Sequence, residues 1–314
     1  MRDTAARFLA DLEGLAPGAR LGVAVSGGPD SLALLLLAHE ARPGAVEAAT
    51  VDHQLRASSR AESDQVAGIC ERLGIAHTIL TVEVPAGASL QAQAREARYA
   101  ALAQWASKRE LTLLTAHHAD DQAETLLMRL SRGAGLAGLA GVRASRIIHA
   151  PDGASVRLVR PLLAWRKRDL GAVVAAAGFH AIDDPSNDDE RHDRTGVRRL
   201  LKSSNAIDAA GVSASAAHLA EAEEALAFAT QHFAEGRLVR TGNAITLAAA
   251  DLPPELQRRL LLAAFARLNA PAPRGPDLER ALKQVRQGAT CTLSGLLLSG
   301  GEPWRLEPEP PRRQ

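Results

Sequence analysis

The sequence predicts an α/β protein: a doubly wound, mostly parallel sheet, followed by a smaller, mainly helical α+β domain. Three observations carry that expectation. Apolar runs of strand length, Leu21–Val25, Ala45–Val51, Ala76–Val84 and Leu111–Ala116, alternate with longer stretches of helical pattern, which is the rhythm of βαβ units. The first run breaks at Ser26-Gly27-Gly28-Pro29-Asp30-Ser31 and passes straight into Leu-Ala-Leu-Leu-Leu-Leu-Ala, so glycines separate a strand end from a helix start. Beyond about Asp208 the composition shifts to a long Ala- and Glu-rich stretch and then to short strand-like runs.

Bulk properties narrow the class. A chain of 314 residues has room for one large domain or two with real cores. Hydrophobic residues at 46% and charged residues at 23% are ordinary for a globular chain, and with aromatics at 3% the core falls to Ala and Leu. Cys70 and Cys291 are the only cysteines and lie far apart, which suits a reducing compartment and no cysteine-held metal cluster. Met-Arg-Asp-Thr-Ala-Ala-Arg at the start has no apolar signal core, and no apolar run approaches the ~20 residues a membrane span needs. The expectation is a cytoplasmic protein with no membrane partner. Net charge is only +1, yet residues 129–202 hold 14 Lys/Arg against 8 Asp/Glu, an excess of six. Such a stretch is either a nucleic-acid footprint or a solvated face.

In chain order, residues 1–19 read as a short helix and a Pro17-Gly18 turn. At Ser26–Ser31, Gly27 and Gly28 permit positive φ and close backbone approach, and the helix start gathers N–H groups and the positive dipole end on an anion. Ser26 and Ser31 add hydroxyls. Asp30 repels phosphate unless a cation lies between them, so the stretch points to a nucleotide phosphate site with magnesium. The second strand ends at Asp52-His53-Gln54-Leu55-Arg56, the ligand edge of an open α/β sheet. Asp52 either meets the nucleoside or caps the helix that follows. That helix, Ser59–Leu73, stops at Gly74. Ala76–Val84 is a third strand, and the helix Ser89–Lys108 carries Arg95 and Arg98 on one face.

The fourth strand runs into His117-His118-Ala119-Asp120-Asp121-Gln122-Ala123-Glu124-Thr125. The acids sit in the first turns of a helix, and Asp121 and Glu124 face the same way. They suit a hard cation or an ammonium group; plain capping is the alternative. Arg132-Gly133-Ala134-Gly135-Leu136-Ala137-Gly138-Leu139 reads as a flexible, close-approach loop. Strands Ser145–Ala150 and Ser155–Val159, a helix Lys167–Ala177, a polar loop Asp183–Glu190 and near-helically spaced Arg191, Arg194, Arg198 and Arg199 follow. The expected organisation is a domain over 1–208, a connector helix over 209–236, an appendage over 237–307 with a hairpin, two helices and strands at Thr290–Leu298 and Trp304–Leu306, and a disordered tail over 308–314.

Ser-Gly-Gly-Pro-Asp-Ser lacks the lysine of a Walker loop and resembles the pyrophosphate loop of the N-type ATP pyrophosphatases. Three further stretches match one family in the same order: Val51–Arg56 with Ala94–Tyr99, His117–Thr125 with Arg132–Leu139, and Asp184–Arg198. Over about the first 200 residues the chain resembles the tRNA(Ile)-lysidine synthases. Ala116 stands where that family has Gly, and Thr195 where it has Asn.

The resemblance implies an adenine-nucleotide α-hydrolase-like fold and a reaction. ATP adenylates the wobble cytidine of a CAU-anticodon tRNA(Ile), free L-lysine displaces AMP, and lysidine forms. Carried over by motif, Ser26, Gly27, Gly28, Pro29, Asp30, Ser31, Asp52 and His53 bind ATP, and Asp30 and Asp120 hold Mg2+. Asp30, Arg95, Arg98, Asp121 and Glu124 are catalytic, and Asp121, Glu124 and Arg194 take the lysine. Arg132, Arg143 and Arg198 meet the tRNA. A homodimer is left open. A tRNA thiolase is the rival within enzymes, disfavoured by the two isolated cysteines; a non-catalytic RNA-binding protein is the rival outside them.

Overall fold

The computed structural model describes residues 2–54, 59–83, 90–182, 193–203 and 207–310. The expected features at Leu55-Arg56, the Asp183–Glu190 loop, Arg191 and the side chain of Arg194 lie outside the described residues. Residues divide into two compact units, Met1–Ala220 and Glu221–Gln314.

In the first unit, β1 (Leu21–Ala24), β2 (Val46–Asp52), β3 (Ala76–Thr81), β4 (Thr112–Leu114), β5 (Ser145–His149) and β6 (Ser155–Val159) form one sheet in the order β3-β2-β1-β4-β6-β5. Every pairing is parallel except that of the edge strand β5, which runs antiparallel to β6. β1 and β4 are neighbours in space but distant in sequence, which makes their junction the topological switch point, where an open α/β sheet forms its ligand crevice. Helices α1 (Arg2–Glu13), α2 (Pro29–Ala41), α3 (Ser59–Leu73), α4 (Leu90–Lys108), α5 (Ala119–Ser131), α6 (Leu136–Leu139), α7 (Lys167–Ala176) and α8 (Asp193–Ser203) complete the unit.

α2 is the helix the core is built around. Ser31 to Ala38 are all buried, which is why its sequence is apolar all round rather than striped. Phe8, Leu12, Val23, Trp165, Leu170 and Val173 belong to the same core. The helix ends where Arg42 closes the chain, donating to the carbonyls of Ala19 at 2.5 Å and Ala16 at 2.8 Å.

The stretch read as a flexible loop is clamped. It contains α6, and Arg129 donates to the carbonyls of Gly138 at 2.6 Å and Gly141 at 3.1 Å. Gln122 bonds both backbone groups of Val142, and a Cβ on Gly141 would lie 2.4 Å from its Oε1. Glycine is required there because the side chain of Gln122 occupies the space.

In the second unit, β7 (Leu238–Thr241), β8 (Ala244–Leu247), β9 (Thr290–Leu293), β10 (Leu296–Ser299) and β11 (Trp304–Pro308) form an antiparallel sheet in the order β7-β8-β11-β10-β9. α10 (Pro254–Arg267) and α11 (Gly275–Arg286) share its core through Leu260, Phe265, Leu282 and Trp304. The long helix α9 is continuous over Ala209–Arg237 and crosses the division between the units. Two expectations are corrected. Thr290–Leu298 is two strands, because Ser294 and Gly295 both take positive φ, 49° and 81°, and turn the chain in two residues. The tail does not begin at Pro308, which pairs with Leu296 in β11, and Glu309 donates to the Gly295 carbonyl at 2.9 Å.

Candidate active site

At the carboxyl ends of β1, β2 and β4 lies a cavity of about 510 Å³. Ser26 and Ser31 line it from the glycine loop, Val51 and His53 from the end of β2, Arg95 and Arg98 from α4, and His117 and Asp121 from the start of α5. The structure thus brings the phosphate loop, two candidate arginines and one candidate acid to a single space. Glu62 and Ser63 of α3 also line it; nothing in their local sequence marked them.

The loop is set by its own hydroxyls. Ser31 Oγ accepts from the Ser26 N–H at 3.1 Å, lies 3.1 Å from Ser26 Oγ and donates to the Gly28 carbonyl at 3.0 Å. A hydroxyl has one hydrogen, so Ser31 is committed to the loop rather than to a ligand. The two glycines do different work. Gly27 has φ +84°, and a Cβ there would sit 2.3 Å from Ile182 Cδ1, whose residue also bonds the Gly27 carbonyl at 2.9 Å. Gly28 has an ordinary φ of −69° and serves as the N-cap of α2 without any side-chain cap. Its expected positive φ is therefore absent. The N–H groups of the first turn of α2 are left for an anion.

Asp30 follows in that turn. Its Oδ1 is buried with no hydrogen-bond partner, and its Oδ2 lies 3.4 Å from His118 Nε2. His118 is 4% exposed and faces three acids, with Asp121 Oδ2 at 3.6 Å from Nε2 and Asp120 Oδ2 at 3.7 Å from Nδ1. Burial opposes its protonation, but the hydrogen bond to Asp30 and the charges of Asp121, Asp30 and Asp120 outweigh burial, and its pKa is raised. Asp121 also accepts the His118 N–H at 3.1 Å and caps α5.

Asp120 is turned elsewhere. It accepts from the Lys167 N–H at 2.8 Å and from Arg166 at 3.3 and 3.4 Å. Its pKa is lowered: burial would raise it, but the Lys167 N–H and the Arg166 guanidinium prevail. This carboxylate thus caps α7 while its Oδ2 also lies 3.7 Å from His118 Nδ1. The orphaned oxygen of Asp30 does fit a cation. Among the described residues no three His, Cys, Asp or Glu side chains gather as a metal cage.

Glu124 is buried, and Arg198 Nε donates to its Oε1 at 2.7 Å. Burial would depress the guanidinium pKa, yet Glu124 raises it. Arg198, expected on tRNA, stands instead against the acid expected to take lysine. Arg143, also expected on tRNA, donates to the Ala220 carbonyl at 3.0 Å. Arg132 is exposed. The Asp52 carboxylate accepts from the Gln54 N–H at 2.9 Å and from Ser59 Oγ, at the start of α3, at 2.7 Å, and does not line the cavity. His53 does line it, with Nδ1 buried and unpartnered.

A family model described as a PP-loop domain matches residues 1–204. A tRNA(Ile)-lysidine synthase of Novosphingobium aromaticivorans is 47% identical over 313 residues, covering 98% of this chain and 95% of that protein. The chain belongs to the tRNA(Ile)-lysidine synthase family. The relative named the same way in Zymomonas mobilis is 44% identical over 298 residues, covering 94% of this chain and 90% of its own length. Among solved structures, a tRNA thiolase from Methanococcus maripaludis superposes with a TM-score of 0.56 at 18% identity, covering 71% of this chain and 78% of that one. At that identity the likeness is one of fold. No helix among the described residues is long and apolar enough to cross a membrane.

Proposed function

We propose that the protein is an ATP-dependent ligase that joins L-lysine to the wobble cytidine of a CAU-anticodon tRNA(Ile), in the cytoplasm, with release of AMP and pyrophosphate. The observation that carries this reading is the shared cavity: the uncapped start of α2 and the acid-bearing start of α5 open on one space. The backbone N–H groups of Gly28, Asp30 and Ser31 hold the ATP phosphates; Pro29 has none to give. Asp30 would hold a magnesium ion, which when bound neutralises phosphate charge. Arg95 or Arg98 balances the charge that develops as the position-2 carbonyl oxygen of cytosine attacks the α-phosphorus and pyrophosphate leaves.

In the second step the lysine amine attacks the activated carbon, AMP departs with the former carbonyl oxygen, and the nitrogen gives up a proton. Asp121 and Glu124 orient the amine and accept that proton. Arg198 occupies Glu124 at 2.7 Å, so the incoming ammonium replaces one cation by another at this carboxylate. Arg194 and Arg132 complete the binding of lysine and tRNA.

The test is release of AMP from ATP by purified protein with CAU-anticodon tRNA and lysine, and the mass of the wobble nucleoside. Glu124→Ala is expected to retain partial adenylation and to lose lysine transfer by at least ~100-fold. Equal loss of both steps removes Glu124 from the second step, and AMP release only with some other acceptor removes the lysidine reading.

A further inference from the structure

Four arginines converge on the one tyrosine of the chain. The guanidinium carbons of Arg146, Arg95 and Arg98 lie 4.9, 5.1 and 5.3 Å from the centroid of the Tyr99 ring. α4 supplies Arg95, Arg98 and Tyr99, β5 supplies Arg146, and Arg160 leaves the end of β6. Burial would raise the Tyr99 phenol, but the charges of Arg95, Arg98 and Arg160 outweigh it and its pKa is lowered.

The charges that act most on Arg98 and Arg160 come from Tyr99 and from other arginines, and burial holds both guanidiniums below their ordinary pKa. Arg160 is 2% exposed and donates one N–H to the Arg143 carbonyl at 2.6 Å. Its Nε is buried without a hydrogen-bond partner, while the Tyr99 oxygen faces the guanidiniums of Arg98 and Arg160. Arg95 and Arg146 reach solvent while Arg160 is buried; like charges this close repel one another, and a buried unpartnered donor is costly. An anion placed among them relieves both costs.

We propose that this cluster is a phosphate site, and that the phosphate it takes is a backbone phosphate of the RNA next to the wobble nucleotide. The inference rests on the function proposed above for its RNA. Arg95 and Arg98 line the nucleotide cavity, whereas Arg146 and Arg160 do not, and Arg146 is exposed on the sheet's edge strand. The cluster therefore runs from the cavity wall to the sheet edge. A polyanion crossing that edge can reach all of it; a triphosphate seated at the α2 loop has its own donors. Gripping a backbone phosphate there fixes the register of the strand without reading its sequence, and leaves the neighbouring base to enter the cavity.

The experiment measures binding without turnover. Arg146→Ala, a change at an exposed side chain, should weaken binding of CAU-anticodon tRNA roughly ten-fold at low salt and lower the slope of log affinity against log salt by about one. The KM for ATP should not move. RNA with a neutral methylphosphonate at either phosphate flanking the wobble nucleotide should bind wild type more weakly at one of the two positions, with no further loss in Arg146→Ala. Unchanged tRNA affinity and salt slope in Arg146→Ala overturns the proposal. So does a raised KM for ATP with unchanged tRNA affinity, which would assign the cluster to the nucleotide. If binding responds as expected but wild type releases no AMP, the phosphate site stands and the proposed reaction falls.

Discussion

Helices α2 and α5 start at the carboxyl ends of adjacent parallel strands, beside one cavity, and treat their N-termini in opposite ways. α2 begins at Gly28 with no side-chain cap. α5 begins at His118, whose backbone N–H is held by Asp121, with Asp30 and Asp120 packed around its imidazole. One terminus keeps its donors for a ligand; the other spends them within the protein and gathers carboxylates instead. The difference separates an anion end from a cation end of the same space. It also means that the two stretches should fail differently when altered.

The largest effect is expected at Gly27. A residue with a Cβ must adopt φ +84° and place that atom 2.3 Å from Ile182 Cδ1. Gly27→Ala should lose kcat/KM for ATP by ~100-fold or more, because the donors of the α2 turn are misplaced, and should cost roughly 1–2 kcal/mol of stability from the left-handed backbone alone. A variant with wild-type melting and wild-type kinetics would show that the loop does not need this conformation. Gly28→Ala should divide the two properties. Its φ is −69°, and a Cβ would come no closer than 3.8 Å to Ser26 Oγ. Stability should change by only about 0.5 kcal/mol, while KM for ATP rises roughly ten-fold as the methyl group enters the ligand's space. Equal effects on both would mean that Gly28 is there for the fold.

His118 carries the pH dependence of the α5 side. Its pKa is raised above the ordinary 6.5. A raised imidazole pKa means the folded state holds the proton more tightly than the unfolded chain does. The stability it contributes is therefore full below about pH 6.5 and is lost as pH rises through the folded-state value. The stability gap between wild type and His118→Gln, followed by denaturant melts between about pH 5 and pH 8, should be widest in acid and shrink with rising pH. A gap that widens with pH would reverse the assignment and leave His118 neutral among its acids.

These two helix starts also mark what the sequence could reveal. The strand-glycine-helix junction is local: Ser26 to Ser31 bring their own hydroxyls, glycines and helix start, so residue types in order suffice. The same holds for the αL turn at Ser294-Gly295 only in part, because Ser gives no warning of positive φ. The α5 side is not local. Whether an acid in His118–Glu124 faces a ligand depends on Arg166 and Lys167, 46 and 47 residues from Asp120, and on Arg198, 74 residues from Glu124. Periodicity cannot choose among three neighbouring carboxylates. Nor does it show that Arg146 and Arg160, on an edge hairpin, meet the Arg95–Tyr99 turn of α4. The lone tyrosine directly after Arg95 and Arg98 is the one signal the sequence carries.

The smallest expected effect decides that choice of carboxylate. Asp120 caps α7 through Lys167 N–H at 2.8 Å and pairs with Arg166, while Asp30 keeps a buried oxygen without a partner. Asp120→Asn keeps an acceptor for Lys167 but removes the charge opposite Arg166, a partly exposed pair worth about 1 kcal/mol or less. Melting should fall by that amount, with adenylation and its magnesium dependence moving no more than about two-fold. Asp30→Asn, made in parallel, should leave melting nearly unchanged and abolish adenylation. If Asp120→Asn instead raises the magnesium requirement many-fold, the α5 acids belong to the phosphate end after all, and the division between an anion-binding α2 and a cation-gathering α5 does not hold.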